Sequence, residues 1–304
     1  MKKLILWLMI VLILTGIYVY RRDLSNYFYT QYVNNRNLKI SNPNQYASNG
    51  EYNFVEITDD FLPDNKQDIL NILYTIIDSG VDEFVFYCPT SYENCINDVE
   101  NLIDDTNMSS VLNNYVHPYN SYNNLNISFN DLGRVTVRIE KLYTDEEIEY
   151  INGAIDQISK LVIIDGMTTR EKIQAFHDYI IKYTTYDSIR ANQIKNNIDD
   201  PTSMSHKATG LLLNKTAICG GYTDTMAIFL SKINVPNIKV STDDHIWNLV
   251  YIDNDWYHLD LTWDDTGAAK EEIIHVFFLI SSNQLESLDA IKHNYPKNLY
   301  VEAN

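Results

Sequence analysis

Three residues in the last third of the chain have the types that thiol chemistry needs: Cys219, His245 and Asp260. A cysteine attacks a carbonyl as its thiolate. An imidazole takes the thiol proton and later hands it to the leaving group, and a carboxylate orients the ring. Ile218 and Cys219 precede Gly220-Gly221, and Tyr222, Met226, Phe229 and Leu230 follow at helical spacing, so Cys219 is expected in the first turn of a helix. There the positive end of the helix dipole favours a thiolate, and exposed backbone N–H groups offer half of an oxyanion hole. The paired glycines are expected to let a substrate backbone approach closely. Taken alone, a cysteine at this place also fits a small buried residue at a helix start.

His245 opens an alternating run that puts Trp247, Leu249 and Tyr251 on its own face, and residues 256–263 alternate likewise with Trp256, His258, Asp260 and Thr262 together. By this parity His245 and Asp260 share a face. A two-residue turn at Asn254-Asp255 would set Leu249 opposite Asp260, leaving four residues, roughly 13 Å, between His245 and the carboxylate. That is too far for a hydrogen bond. The pairing therefore requires a recentred turn or a bulge that moves the register by two to four residues; otherwise His258 is a rival partner. Cys219, His245, His258 and Asp260 also make up a set of metal-ligand types, but their spacing matches no standard metal motif. Asp243 and Asp244 beside His245 read either as a solvated acidic turn or as stabilisers of its imidazolium form.

The elements that must position these residues begin at Thr144. Thr144-Asp145-Glu146-Glu147 is a capping box in front of the stripe Ile148, Ile151, Ile155 and Ile158. Thr168-Thr169-Arg170-Glu171 opens a second helix that runs through His177-Asp178-Tyr179 to about Tyr183. His177 reads as a packed or capping histidine, since nothing beside it forms a dyad. Residues 187–201 are polar and are expected to form a loop bordering a cleft. Upstream, residues 51–143 read as a small βαβαββ unit. Its elements are a strand over 52–58, a helix opened by Pro63, a strand over 83–88, a helix over 93–106 and a hairpin turning at Asp131-Leu132-Gly133. No metal spacing or Gly-rich phosphate loop occurs there. Residues 23–50, polar and rich in Asn and Tyr, read as a tether.

Lys2 and Lys3 precede an unbroken apolar run over residues 4–20, closed by Arg21-Arg22. As a helix it spans about 26 Å, slightly short of a bilayer core of about 30 Å. It lacks a small-x-small cleavage site and no cysteine follows it, so it reads as a signal anchor, making the protein single-pass in the cell membrane. The flanking charges favour an inside N-terminus with the body outside. Cys88 and Cys95 read either as a local disulfide in an oxidising compartment, which leaves Cys219 as the odd thiol, or as two buried thiols. The 304 residues suffice for one large domain or two ordinary ones, and a 45% hydrophobic, 21% charged composition is that of a globular chain. A formal charge of −18 excludes a nucleic-acid partner, because no basic patch is available to displace counterions.

Residues 217–265 resemble the transglutaminase-like superfamily. Cys219-Gly220-Gly221-Tyr222 is similar to its nucleophile motif and His245-Ile246-Trp247-Asn248 to its histidine motif. Trp256-Tyr257-His258-Leu259-Asp260-Leu261-Thr262-Trp263-Asp264-Asp265 is similar to its aspartate motif. His177-Asp178-Tyr179, Tyr186-Asp187 and Phe277-Phe278-Leu279-Ile280 also resemble bacterial members, extending the likeness over residues 144–296. The resemblance implies an α+β, papain-like core in which a helix carrying the cysteine packs on an antiparallel sheet carrying the histidine and aspartate. It implies Cys219, His245 and Asp260 as the catalytic residues, His245 rather than His258 in the triad, and a sheet that resolves the register. Gly220 stands where a larger, often acidic residue is common, Ala217 where glycine is usual, and residues 241–244 are short and lack the customary glycine. The organisation expected is a transmembrane helix over 1–22, a linker over 23–50, a small α/β domain over 51–143 and a transglutaminase-like domain over 144–304. The activity implied is acyl transfer through a thioester on protein or peptide carboxamides, resolved by water or by an amine acceptor, with no cofactor and no metal. The alternative is a non-catalytic binding or adhesion module on the same fold.

Overall fold

The structure is a computed structural model that describes residues 2–32, 38–40, 42, 44, 54–198, 200, 202–267 and 273–304. Helix α1 (Lys2–Val19) has 18 residues, none of them buried, and is long and apolar enough to cross a membrane. The segment read as a tether continues instead as helix α2 (Arg21–Tyr32). Tyr29 anchors it: the residue is buried, its hydroxyl donates to the Val85 carbonyl at 2.8 Å, and its ring lies 4.3 Å from that of Tyr87. Most of residues 33–50 lie outside the described part of the chain.

The chain divides into two compact units. The first comprises Met1–Ser41, Val55–Ser109 and Tyr122–Lys141. After α1 and α2, the elements in chain order are α3 (Lys66–Asp78), β1 (Glu83–Tyr87), α4 (Cys95–Asp104), α5 (Thr106–Tyr115, of which residues 110–115 are counted with the second unit), β2 (Tyr122–Phe129) and β3 (Arg134–Lys141). The sheet is antiparallel in the order β1-β3-β2. Helix α3 starts three residues after Pro63, where the Asn65 side chain caps the Asp68 N–H. Residues 52 and 53 of the strand expected over 52–58 lie outside the described residues, and the remainder is not a strand. Side chains of α3 take its backbone groups instead: the Glu56 N–H donates to Asn71 Oδ1 and the Thr58 N–H to Thr75 Oγ1, both at 2.9 Å. Cys88 and Cys95 form a disulfide and are fully buried.

The second unit comprises Asn42–Phe54, Ser110–Ser121 and Leu142–Asn304. Helices α6 (Asp145–Val162) and α7 (Thr169–Tyr183) each begin at the capping box their sequence predicts. Then come β4 (Thr185–Tyr186), α8 (Ser188–Lys195), β5 (Thr216–Ala217), α9 (Cys219–Lys232) and β6 (Asn237–Ser241). Strands β7 (Ile246–Ile252) and β8 (Asp255–Leu259), helix α10 (Leu261–Asp264), β9 (Phe278–Ile280) and α11 (Ser282–Asp289) complete it. Strands β6 to β9 form an antiparallel sheet in sequence order. Helix α8 corrects the loop expected over 187–201. The Asp187 side chain caps the Arg190 N–H at 2.9 Å, satisfying an N-terminal donor that a loop would leave to water.

Helix α9 lies at the centre of this unit. On one side Phe229 stacks on Phe176 of α7 at 3.8 Å, and on the other Val250 and Leu259 of the sheet join Met226 in the same core. Burial is continuous from Gly221 to Leu230, so this helix is enclosed all round rather than amphipathic. Its polar residues are satisfied in place. Thr223 donates to the Ile246 carbonyl, Thr225 donates to the Gly221 carbonyl, and Asp224 accepts from the Lys239 ammonium and the Tyr143 hydroxyl. A cysteine-bearing helix packed on an antiparallel sheet is the transglutaminase-like, α+β arrangement that the resemblance implies.

Candidate active site

The β7–β8 hairpin turns at Asp253-Asn254, whose φ values of 55° and 65° are those of a two-residue turn with both central residues left-handed. Ile252 therefore pairs with Asp255 and Leu249 with His258. Moving the turn one residue back from Asn254-Asp255 shifts the register by two. The continued ladder sets Asp260 against Trp247, two residues from His245 instead of four. The remaining gap closes because neither residue lies in the ladder. His245 precedes the first residue of β7, and Asp260 follows β8 as the N-cap of α10. Asp260 Oδ2 thereby reaches 2.5 Å from His245 Nε2.

Asp260 is held by four donors. Its Oδ1 accepts the N–H groups of Thr262 at 2.9 Å and Trp263 at 3.2 Å, while Oδ2 accepts from His245 Nε2 and from His293 Nε2 at 3.0 Å. His293 is itself buried, and its Nδ1 lies 3.1 Å from Asp289 Oδ2. Burial alone would raise the Asp260 pKa. The charges and hydrogen bonds of His245 and His293 outweigh it and hold the carboxyl well below the usual range. Burial likewise disfavours a charged His245, yet the Asp260 charge and hydrogen bond, together with Cys219, push its pKa up to about 10. With Nε2 committed to Asp260, the ring of His245 keeps Nδ1 for another partner, and Cys219 lies near enough to contribute to its raised pKa.

Cys219 is the first residue of α9, partly exposed, and the free thiol of a chain with three cysteines. From sequence the two glycines after it are expected to let a substrate backbone approach; the space beside them is instead taken by the protein's own backbone. A Cβ at Gly220 would lie 2.8 Å from the His206 carbonyl oxygen, and one at Gly221 would meet the Ser205 oxygen at 2.8 Å and the Lys207 oxygen at 3.0 Å. This also explains why the larger residue common at the place of Gly220 is absent. Gly221→Ala is expected to lower stability by about 1–3 kcal/mol through overpacking, although alanine is the better helix former by about 1 kcal/mol. Urea unfolding of the two proteins checks this; a midpoint that rises would refute the packing argument.

His258, the rival partner in sequence, bonds elsewhere than to Asp260. Its Nδ1 accepts from Trp247 Nε1 at 3.0 Å, its Nε2 faces Ser282 Oγ at 3.2 Å, and burial lowers its pKa to about 3, which keeps it neutral. Trp247, fully buried, stacks under His245 with ring centres 5.5 Å apart. Asn248 donates to the Thr223 carbonyl at 3.1 Å and ties β7 to α9. The residues around His245 in its motif are thus its footing. Asp243 is exposed, and Asp244 pairs with Lys292 Nζ at 2.6 Å; the carboxylate bonded to His245 is Asp260. His177 is packed, as expected, against Asp178 at 2.9 Å and Asp264 at 3.2 Å.

A cleft of about 600 Å³ opens beside His245, walled by Tyr186, Asp244, Trp263, Asp265 and Lys292 among others. Parallel pairing of β4 with β5 sets Tyr186 against Ala217, two residues before Cys219. Burial, and then the charges of Cys219, Asp260 and Asp187, push the Tyr186 pKa up to about 12, so its hydroxyl is a donor at neutral pH. Sequence reasoning misses His293, Lys292 and Asp289. His293 stands 33 residues beyond the carboxylate it bonds and belongs to none of the three motifs; the only local signal is an aspartate four residues before it.

No family model matches the sequence, and no curated protein matches it. Among solved structures the chain is similar to a TGase, at 19% identity and a TM-score of 0.38, covering 50% of this chain and 48% of that one. It is also similar to a candidate cysteine protease from Cytophaga hutchinsonii, at 12% identity and a TM-score of 0.27, covering 46% and 61%. A third is the periplasmic domain of TgpA from Pseudomonas aeruginosa, at 11% identity and a TM-score of 0.29, covering 46% and 58%. The chain spans less than two thirds of the length of each, and all three likenesses are distant.

Proposed function

We propose that this chain is a cysteine-dependent acyl-transfer enzyme in which Cys219 is the nucleophile, His245 the acid and base, and Asp260 the group that orients the ring. The observation that carries this reading is the bond from His245 to a buried carboxylate, beside a free thiol at a helix start. A raised histidine pKa keeps the ring charged at neutral pH, so that its proton is available to the leaving amine. The thiolate sulfur attacks the carbonyl carbon of a carboxamide or peptide. Charge on the oxygen then faces the first N–H groups of α9, those ahead of Gly221 and Tyr222, whose own N–H groups donate to the Ile218 carbonyl, and the protonated Tyr186 hydroxyl. The C–N bond breaks as His245 delivers its proton to the leaving amine, giving a thioester. Water or a second amine attacks that thioester, giving its own proton to His245, and Cys219 is regenerated.

An open cleft walled by both polar and aromatic side chains suits a protein or peptide segment rather than an enclosed small molecule. We read α1 as a single membrane anchor with the body outside the membrane, where the Cys88–Cys95 disulfide is at home.

The test uses the full chain in detergent micelles with a glutamine peptide. Release of ammonia is expected, an added primary amine reports incorporation if an amine is the acceptor, and prior iodoacetamide treatment removes both. No turnover on varied peptides, with Cys219 inert to iodoacetamide, would sink the enzymatic reading and leave a binding module. The pH dependence has a definite sign. His245 must be charged to protonate the leaving amine, so activity is expected to fall on the alkaline side with a midpoint near 10. The same pairing stabilises the fold fully below the ordinary histidine value of about 6.5 and is lost as pH rises through the folded value.

A further inference from the structure

A second group of metal-ligand side chains lies behind the Asp260 arm of the site. Asp178 Oδ1 is 2.9 Å from His177 Nδ1 and 2.7 Å from His275 Nε2, and the three ligand atoms lie within 4.8 Å of one another. In a tetrahedral divalent site with bonds of about 2.0–2.2 Å to imidazole nitrogen and carboxylate oxygen, neighbouring ligand atoms are roughly 3.3–3.6 Å apart. Separation of these atoms by roughly half an ångström or somewhat more therefore admits an ion.

The surroundings are those that orient ligands. His177 is fully buried, and its other nitrogen, Nε2, faces Asp264 Oδ2 at 3.2 Å. Asp264 is buried as well and is fixed in turn by the Phe277 N–H, which donates to its Oδ1 at 2.9 Å. A carboxylate behind a histidine sets the ring and raises its basicity toward a metal. Phe278 packs edge-on against both imidazoles, at 5.2 Å and 5.5 Å, which closes one side with apolar surface. Asp178 and His275 keep about a third of their side-chain surface, at 33% and 32%, so the other side is open to water as a further ligand.

We propose that His177, Asp178 and His275 bind one borderline divalent cation of the zinc class, with Asp264 as the positioning carboxylate behind His177. Two imidazoles and one carboxylate suit zinc or cobalt, whereas calcium and magnesium require oxygen-rich shells. The role is structural. The ion joins α7 to the segment entering β9, and Asp264 lies in the short helix whose N-cap is Asp260. It clips the scaffold of the Asp260 arm and takes no part in the acyl chemistry.

The test is a titration of the untagged, chelator-treated full chain in micelles with zinc against a chromophoric chelator, and with cobalt followed by visible absorption. One equivalent should bind with micromolar or tighter affinity and raise Tm by a few degrees. His275→Ala and Asp178→Asn, both at positions open to water, should each weaken binding at least 100-fold. Alkylation of Cys219 or His293→Gln should leave it unchanged. No zinc binding by the wild-type chain overturns the proposal and leaves a hydrogen-bonded cluster only. Binding that survives both His275→Ala and Asp178→Asn but is lost on Cys219 alkylation or with His293→Gln overturns it equally, because the ion then belongs to the triad pocket. If His275→Ala fails to fold, Asp178→Asn, which keeps the shape of the side chain, decides.

Discussion

Cys219→Ala is expected to reduce kcat/KM on any substrate of the wild-type chain by on the order of 10⁶-fold, the effect typical of deleting a covalent nucleophile. Without Sγ no thioester forms, and attack on the carbonyl falls to unassisted water. The remaining N–H and Tyr186 donors retain only the share of rate that an oxyanion site supplies by itself. The fold should not suffer. Cys219 is partly exposed and unbridged, and the helix start is held by backbone groups, with the Ile218 N–H on the Ser205 carbonyl and the Thr223 hydroxyl on the Cys219 carbonyl. Intact mass after mixing with a glutamine peptide gives a second readout: an acyl adduct on the wild type, none on the variant. Turnover by the alanine protein at even a few per cent of wild type would remove Cys219 from the mechanism.

Asp260→Asn is the second large expected effect, a fall of roughly 10⁴-fold, as when a triad carboxylate is neutralised. Asparagine orients the histidine in some thiol enzymes, so the substitution looks mild. The four donors around this carboxylate make it severe. If the amide NH₂ sits at Oδ2 it faces the ring nitrogens of His245 and His293, and if it sits at Oδ1 it faces the N–H groups of Thr262 and Trp263. Either way donors oppose donors, at about 1–3 kcal/mol for each buried group left unsatisfied. With the charge gone the His245 pKa falls from about 10, so the alkaline limb of any residual activity should move to lower pH. A fully folded Asn variant with near wild-type activity and an unmoved alkaline limb would show that Asp260 does not orient His245.

Much of this constellation is legible in the sequence, and the limits have physical causes. Side chains alternate with a period of two whatever the register, so parity alone predicts that His245 and Asp260 share a face. Their separation depends on which two of Asp253, Asn254 and Asp255 make the turn, and all three are good turn formers, so local preference does not decide between the candidates. The glycines after Cys219 are visible, but the carbonyls of His206 and Lys207 that need their space come from a loop with no periodic pattern. Residues 23–32 look polar and irregular because, among the described side chains of that helix, Tyr29 is the buried one, and one residue makes no stripe. Thr223, Asp224 and Thr225 hide the full burial of α9, since their partners come from Ile246, Lys239 and Gly221. His293 is the extreme case, joined to Asp260 only by the folded chain.

The enclosure of α9 decides which parts of the site can yield. Amide groups in a helix buried from Gly221 to Leu230 exchange with solvent only when the whole unit opens, at close to its global free energy. The thiol therefore rides on the last element to come apart. Trp263, Thr266 and Lys292, which wall the cleft, keep part of their surface in water and open at lower free energy. On the proposed acyl-transfer reading, accommodation of differently shaped substrates falls to the walls, on the timescale of local opening, while the thiol keeps its place.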